Sequence, residues 1–196
     1  MRNYKLIGLT GRSGSGKSIA REFFKNNGYI IIDADTLARE AIEKPIVQSD
    51  IAAEFGSDLI NDNAVDRKEL AKRAFKDDLS VKKLNAVMHP HISFLFVDKL
   101  NKLVKRGEKN ILFDAPQLFE AELDILCDVT VALISDDKTR IERITQRDSI
   151  SREQAEERLK IQLSDTFFKE NCDYCIENNS TEEKLIADLG DIISLF

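Results

Sequence analysis

At 196 residues the chain is long enough for one α/β domain with its own core and room for insertions, and too short for two full domains. Its 42% hydrophobic and 33% charged residues are those of a soluble globular protein, and no apolar run is long enough to span a membrane. The net charge of −6 argues against a broad nucleic-acid-binding surface, so any anionic ligand must be captured by a local cluster of donors.

Tyr4 to Leu9 predicts a short buried strand, which leaves no room for a signal peptide and leads into Gly11-Arg12-Ser13-Gly14-Ser15-Gly16-Lys17-Ser18. That octet fits the phosphate-binding pattern G-x-x-x-x-G-K-[ST]. Its glycines free the backbone to wrap a phosphate chain and turn N–H groups inward. Lys17 supplies a point charge for the β/γ-phosphates, and Ser18 a hydroxyl for Mg²⁺. Helical spacing from Ser18 to Phe24 completes the strand, loop and helix order that gives the motif meaning.

A second strand, Gly28 to Asp35, is an unbroken apolar run suited to a sheet covered on both faces, and it ends in two carboxylates. Asp33 there is placed to accept a proton from a hydroxyl attacking the γ-phosphate, or to help hold Mg²⁺ through water. Either Asp can instead cap a helix starting near Thr36, a role that suits Asp35 better if Asp33 is the functional one. From Thr36 to about Gly107 the pattern is helical, with turns at Lys44-Pro45 and Phe55-Gly56-Ser57-Asp58 and no convincing strand. His89-x-His91 is a poor metal site because no third ligand is suggested.

Asn110 to Asp114 predicts a third strand whose terminal Asp occupies a Walker-B-like position, and Asp128 to Ile134 a fourth; alternation of strands and helices implies a doubly wound parallel sheet. Arg140, Arg143 and Arg147 then share one helical face, either aimed at phosphate or solvated and paired with Glu142, Glu153, Glu156 and Glu157. The segment onward to Gln162 reads as a mobile helical lid. A strand from Tyr174 to Asn179 and a helix from Thr181, capped by Ser180 or Thr181, close the chain. Cys127, Cys172 and Cys175 form no disulfide framework, and Cys172-x-x-Cys175 reads as small apolar side chains near a strand in a reducing cytoplasm.

With these pieces in place the sequence resembles the dephospho-coenzyme A kinase family over nearly its whole length. The resemblance rests on Ile7-Gly8-Leu9-Thr10-Gly11, Gly14 to Ser18, Ile32-Asp33-Ala34-Asp35, Phe55-Gly56, Asp66-Arg67, Leu84-Asn85 and His89-Pro90. It continues through Asp114-x-Pro116, Leu118-Phe119-Glu120, Arg143, Arg147-Asp148, Gln162 and Asn178-Asn179. It implies a three-layer α/β/α P-loop NTPase with a mostly parallel five-stranded sheet, a helical acceptor-binding insertion and a helical lid. The nucleotide-binding core would span about residues 1–34, 108–135 and 165–196, the acceptor part about 35–107 and the lid about 136–164.

The implied reaction is ATP-dependent phosphorylation of the ribose 3′-hydroxyl of dephospho-coenzyme A, in the cytoplasm, by a monomer or weak homo-oligomer. Implied nucleotide contacts are Gly11, Ser13, Gly14, Ser15, Gly16, Lys17, Ser18 and Ile19, with Ser18 and Asp114 toward Mg²⁺. Asp33, Asp35, Arg67, His89, Pro90 and Asp114 fall to the acceptor; Asp33 is the implied base, and Lys17, Arg143 and Arg147 act on the transferring group. The chain departs from the family pattern at Arg12-Ser13, usually Gly and a small aliphatic residue, at Ile19, usually Thr, and at Gln117, usually Leu. A nucleoside monophosphate kinase is the alternative enzyme. A guanine-nucleotide switch would need an Asn-Lys-x-Asp segment, which is not found.

Overall fold

The computed structural model describes residues 2–195. They form two compact units: one runs to Ile32 and resumes at Gly107, and the other is Asp33–Arg106. Among the described residues no helix is long and apolar enough to cross a membrane.

The first unit is built on a five-stranded sheet in the order β2-β5-β1-β6-β7. The strands are β1 (Lys5–Gly11), β2 (Ile30–Asp33), β5 (Asn110–Asp114), β6 (Val129–Ile134) and β7 (Tyr174–Glu177). Parallel pairing joins β1 to β5 and β6, and β6 to β7. Centrality follows from composition: Leu6, Ile7 and Leu9 of β1 are wholly buried, as a strand covered on both faces requires. In β6 the period of two splits alternate residues between faces. Val131 and Leu133 join Ile7, Leu9 and Leu112 beneath Phe24 of α1 (Lys17–Asn26) and Leu185, Leu189 and Ile192 of α9 (Glu182–Ile193). Ala132 and Ile134 turn the other way, onto Phe168 of α8 (Asp165–Asn171). Helices therefore cover both faces, giving the expected α/β/α layering.

The second strand differs from its expectation. β2 lies at the sheet edge, only Ile32 in it is fully buried, and it ends at Asp33 because that residue's side chain already caps the next helix. An apolar run reads the same at an edge as in the centre.

The second unit is helical: α2 (Ala34–Ile42), α3 (Pro45–Phe55), α4 (Arg67–Ala74) and the long α5 (Asp78–Lys105). Their starts are written in the sequence. Asp33, Asp66 and Asp77 accept N–H bonds as caps, Pro45 sits in the first turn of α3, and Gly56 ends that helix at φ 114°. Ala41, Val47, Ile51, Leu59, Leu70, Ala74 and Met88 make the unit's own apolar cluster. One element was not expected, a hairpin of β3 (Ile60–Asn61) and β4 (Ala64–Val65). Its turn residues Asp62 and Asn63 have φ of 49° and 59°, the double left-handed geometry of tight hairpins that Asp and Asn tolerate. Strands of two residues carry no readable period.

Candidate active site

The loop between β1 and α1 is held open by what surrounds it. Asn178 Nδ2 donates to the Ser15 carbonyl at 2.9 Å, and Arg143 Nη1 donates to the Gly14 carbonyl at 3.1 Å and the Asn178 carbonyl at 3.3 Å. The Gly16 N–H, trans to the Ser15 carbonyl across a planar peptide, must point the opposite way. Gly16 is the N-cap of α1 in a left-handed conformation, φ 103°, and no side chain satisfies that helix start. Its first N–H groups and positive dipole end therefore remain available to an anion. A Cβ on Gly16 would lie 2.2 Å from Asn178 Nδ2, and one on Gly14 would lie 2.8 Å from the Arg140 carbonyl, so both positions need glycine for space as well as for φ.

The parallel register sets Asp114 level with Leu9, two residues before the end of β1. There its Oδ1 accepts from Lys17 Nζ at 2.6 Å, while Arg21, one turn along α1, stands 3.6 Å from its other oxygen. A buried carboxylate at this point is tolerable because two cations face it. Ser18 is exposed beside Lys17, and Ile19 packs part of its side chain against the core below. Ser15 Oγ is buried and has no hydrogen-bond partner among the described residues. A buried hydroxyl without a partner suits a loop that binds a polar ligand. The same residues contain no group of three or more His, Cys, Asp or Glu able to hold a metal. The Ser18 hydroxyl and the Asp114 carboxylate are oxygens of the kind that suit Mg²⁺, which is usually held by one or two protein oxygens and substrate phosphates rather than by a protein cage.

After β6 come α6 (Asp137–Asp148) and α7 (Arg152–Lys160), packed through Ile141, Ile144, Ala155 and Leu159. The three arginines of α6 do not share one role, and none takes the glutamate partners named above. Arg140 is 1% exposed and forms a two-pronged pair with Asp165 at 2.6 and 3.0 Å. Arg143 reaches the loop carbonyl. Arg147 is exposed and binds Asp148, which Arg158 also grips. Arg147 first, and Arg158 after it, hold the Asp148 carboxyl well below the usual carboxylate range.

In the second unit Asp33 accepts from the N–H groups of Asp35 and Thr36 at 2.8 and 3.3 Å. The cap is therefore Asp33, and Asp35 is an exposed residue of the first turn of α2, contrary to the division of roles expected from sequence. Arg67 opens α4 and lies 3.3 Å from Glu43, and His89 and Pro90 lie within α5. His91 bonds Asp50 at 2.9 Å.

The structure thus brings together Lys17, Asp114, the loop and Arg143 within the first unit and turns Arg147 to Asp148. Asp33, Asp35, Arg67, His89 and Pro90 belong to the second unit. Sequence reasoning gave no role in the loop to Gln162 or Asn178. Gln162 exchanges two 3.0 Å hydrogen bonds with Ser13, and Asn178 is a buried amide just past β7; both stand among the residues that carry the family resemblance, which marks the positions without saying what they bind. Burial pushes the thiols of Cys127 and Cys172 up to about 12, in keeping with small, uncharged packing groups.

A family model described as dephospho-CoA kinase (CoaE) matches residues 5–184. The dephospho-CoA kinase of Fusobacterium nucleatum is 39% identical over 181 residues, 92% of each chain. That of Corynebacterium glutamicum is 32% identical over 191 residues, covering 96% of this chain and 95% of its own. A crystal structure of a Thermus thermophilus protein has TM-score 0.83 at 26% identity, over 99% of this chain and 98% of that one. A phosphate loop whose lysine meets a strand-end aspartate, in a chain matched along almost its full length by these relatives, places the protein in the dephospho-CoA kinase family.

Proposed function

We propose that this kinase transfers the γ-phosphoryl group of ATP to the ribose 3′-hydroxyl of dephospho-CoA, with the loop holding the nucleotide and residues 33–106 taking the acceptor. The observation that carries the reading is the Lys17–Asp114 pair at the mouth of a loop whose carbonyls are tied back by Arg143 and Asn178.

Lys17 exchanges Asp114 for phosphate oxygens and follows the negative charge as it moves. Ser18 and Asp114 would hold Mg²⁺, which would supply charge neutralisation to the transferring group. Asp33 orients the 3′-hydroxyl and accepts its proton. Asp35, Arg67, His89 and Pro90 shape the acceptor side. Arg143 and Arg147 stabilise the transferring group. The enzyme works in the cytoplasm as a monomer or weak homo-oligomer.

The test is to incubate protein, Mg-ATP and one acceptor at a time (dephospho-CoA, each common nucleoside monophosphate, or none) and weigh the products. The expected outcome is a single added phosphoryl group on dephospho-CoA alone. Efficient phosphorylation of a nucleoside monophosphate would replace this reading with the alternative kinase.

A further inference from the structure

Each residue at the leading edge of the phosphate loop has its own tether, and that of Arg12 is the broadest. Its Nη2 donates to the Leu159 carbonyl at the end of α7 at 2.8 Å. Its Nη1 stands 3.6 Å from both Asp137, in the first turn of α6, and Asp165, in the first turn of α8. Arg140 lies in the same cluster, pairing with both carboxylates, while its own backbone abuts Gly14. Two guanidinium groups and two carboxylates cancel in charge, so the Arg12 and Arg140 side chains can be 12% and 1% exposed without an uncompensated ion. The cluster gathers the start of α6, the end of α7 and the start of α8 on one loop residue. Gln162 adds a neighbouring tie to Ser13.

We propose that Arg12 is a positioning residue for phosphoryl transfer: it locks both ends of the α6–α7 segment to the phosphate loop and so sets where Arg143 and Arg147 meet the transferring group. This rests on the reading of α6–α7 as the lid that carries those two arginines. A guanidinium suits the task because its planar fork reaches a carbonyl and two carboxylates at once, which a lysine cannot. Since the cluster leaves the phosphate-facing N–H groups untouched, its loss misplaces the arginines more than it weakens nucleotide binding.

The experiment is a double-mutant cycle of Arg12→Ala and Arg147→Ala, read as single-turnover transfer to dephospho-CoA alongside ATP affinity. Arg12→Ala is expected to slow transfer about tenfold while changing ATP affinity less than about threefold, as misplacement at a distance from the bond predicts. In the Arg147→Ala background the same substitution is expected to cost clearly less than about tenfold, because one of the two arginines it positions is gone and only Arg143 remains to be misplaced. Arg12→Lys, which keeps the charge but gathers its donors on a single nitrogen, should recover part of the rate, and it carries the same cycle if Arg12→Ala fails to give a native circular-dichroism spectrum.

Factors that multiply independently in the double variant, or equal losses in rate and ATP affinity, would overturn the inference and leave Arg12 a merely structural residue. If Arg147→Ala alone leaves the rate unchanged, the lid reading itself fails. If Arg147→Ala slows transfer and Arg12→Ala does not, only the role of Arg12 fails.

Discussion

Lys17 spends its charge on Asp114 and makes no contribution to the apolar cluster under the loop, so its removal separates chemistry from folding. Lys17→Ala is expected to lower turnover by at least about 10²–10³-fold, the scale of losing one preorganised charge donor. Its circular-dichroism spectrum should stay native, since Arg21 still faces the carboxylate left behind. Near-normal turnover would remove the loop from the mechanism. Asp33 offers a cleaner separation. Its carboxylate caps α2, and Asn caps a helix about as well as Asp, so Asp33→Asn keeps the structural duty and deletes the proposed proton acceptor. Single-turnover transfer should fall about 10²–10⁴-fold with ATP affinity nearly unchanged. A rate within about threefold of the parent would exclude an essential base, and a matching loss of ATP affinity would point to metal holding. At this scale the strand-end positions of Asp33 and Asp114 were legible, because an apolar run that stops at Asp is a pattern in one dimension. Which of Asp33 and Asp35 caps the helix was not, since the choice turns on one residue's φ and ψ.

Elements were legible in proportion to their length and to the strength of their end signals. β5 was read residue for residue as Asn110–Asp114, bounded by a turn and a strand-ending Asp. The β3–β4 hairpin escaped because each strand has two residues. Helix α6 was recognised, yet the different surroundings of its three arginines were not: helical spacing shows that residues share a side, not whether that side meets water, a carbonyl or a buried carboxylate. The Asp148 knot gives this pair of helices a pH signature. Because Arg147 and Arg158 depress the folded-state pKa, the stabilisation is present above the ordinary carboxylate value of about 3.9 and is lost as pH falls below it. Thermal melts between neutrality and about pH 3 should therefore steepen below about pH 4 in the parent. Asp148→Asn should flatten that limb, and at neutral pH cost no more than about 1 kcal/mol, since both arginines are largely solvated. An unchanged acid limb would show that other carboxylates govern it.

At the scale of the whole molecule, the chain passes between its two compact units twice, from Ile32 to Asp33 and from Arg106 to Gly107. Each unit has an apolar cluster of its own, one around Ile7, Phe24 and Leu133, the other around Val47, Ile51 and Met88. A ligand held by one unit protects that unit's backbone directly, because it binds the folded form and suppresses local opening. ATP at about a hundred times its dissociation constant should add roughly 2.7 kcal/mol to the stability of the structure that binds it. Amide exchange is expected to slow in the loop, α1 and the start of α6 when ATP is added, while α3 and α4 keep their rates. Dephospho-CoA alone should slow exchange in segments of residues 33–106, with the first turn of α2, where Asp33 and Asp35 sit, among them. Lys17→Ala should erase much of the ATP pattern and leave the dephospho-CoA pattern standing. If dephospho-CoA instead protected only residues up to Ile32 and from Gly107 onward, the acceptor role of the helical unit would be wrong. The loop's hold on ATP would be untouched by that result, because it rests on Lys17, Asp114 and the uncapped start of α1.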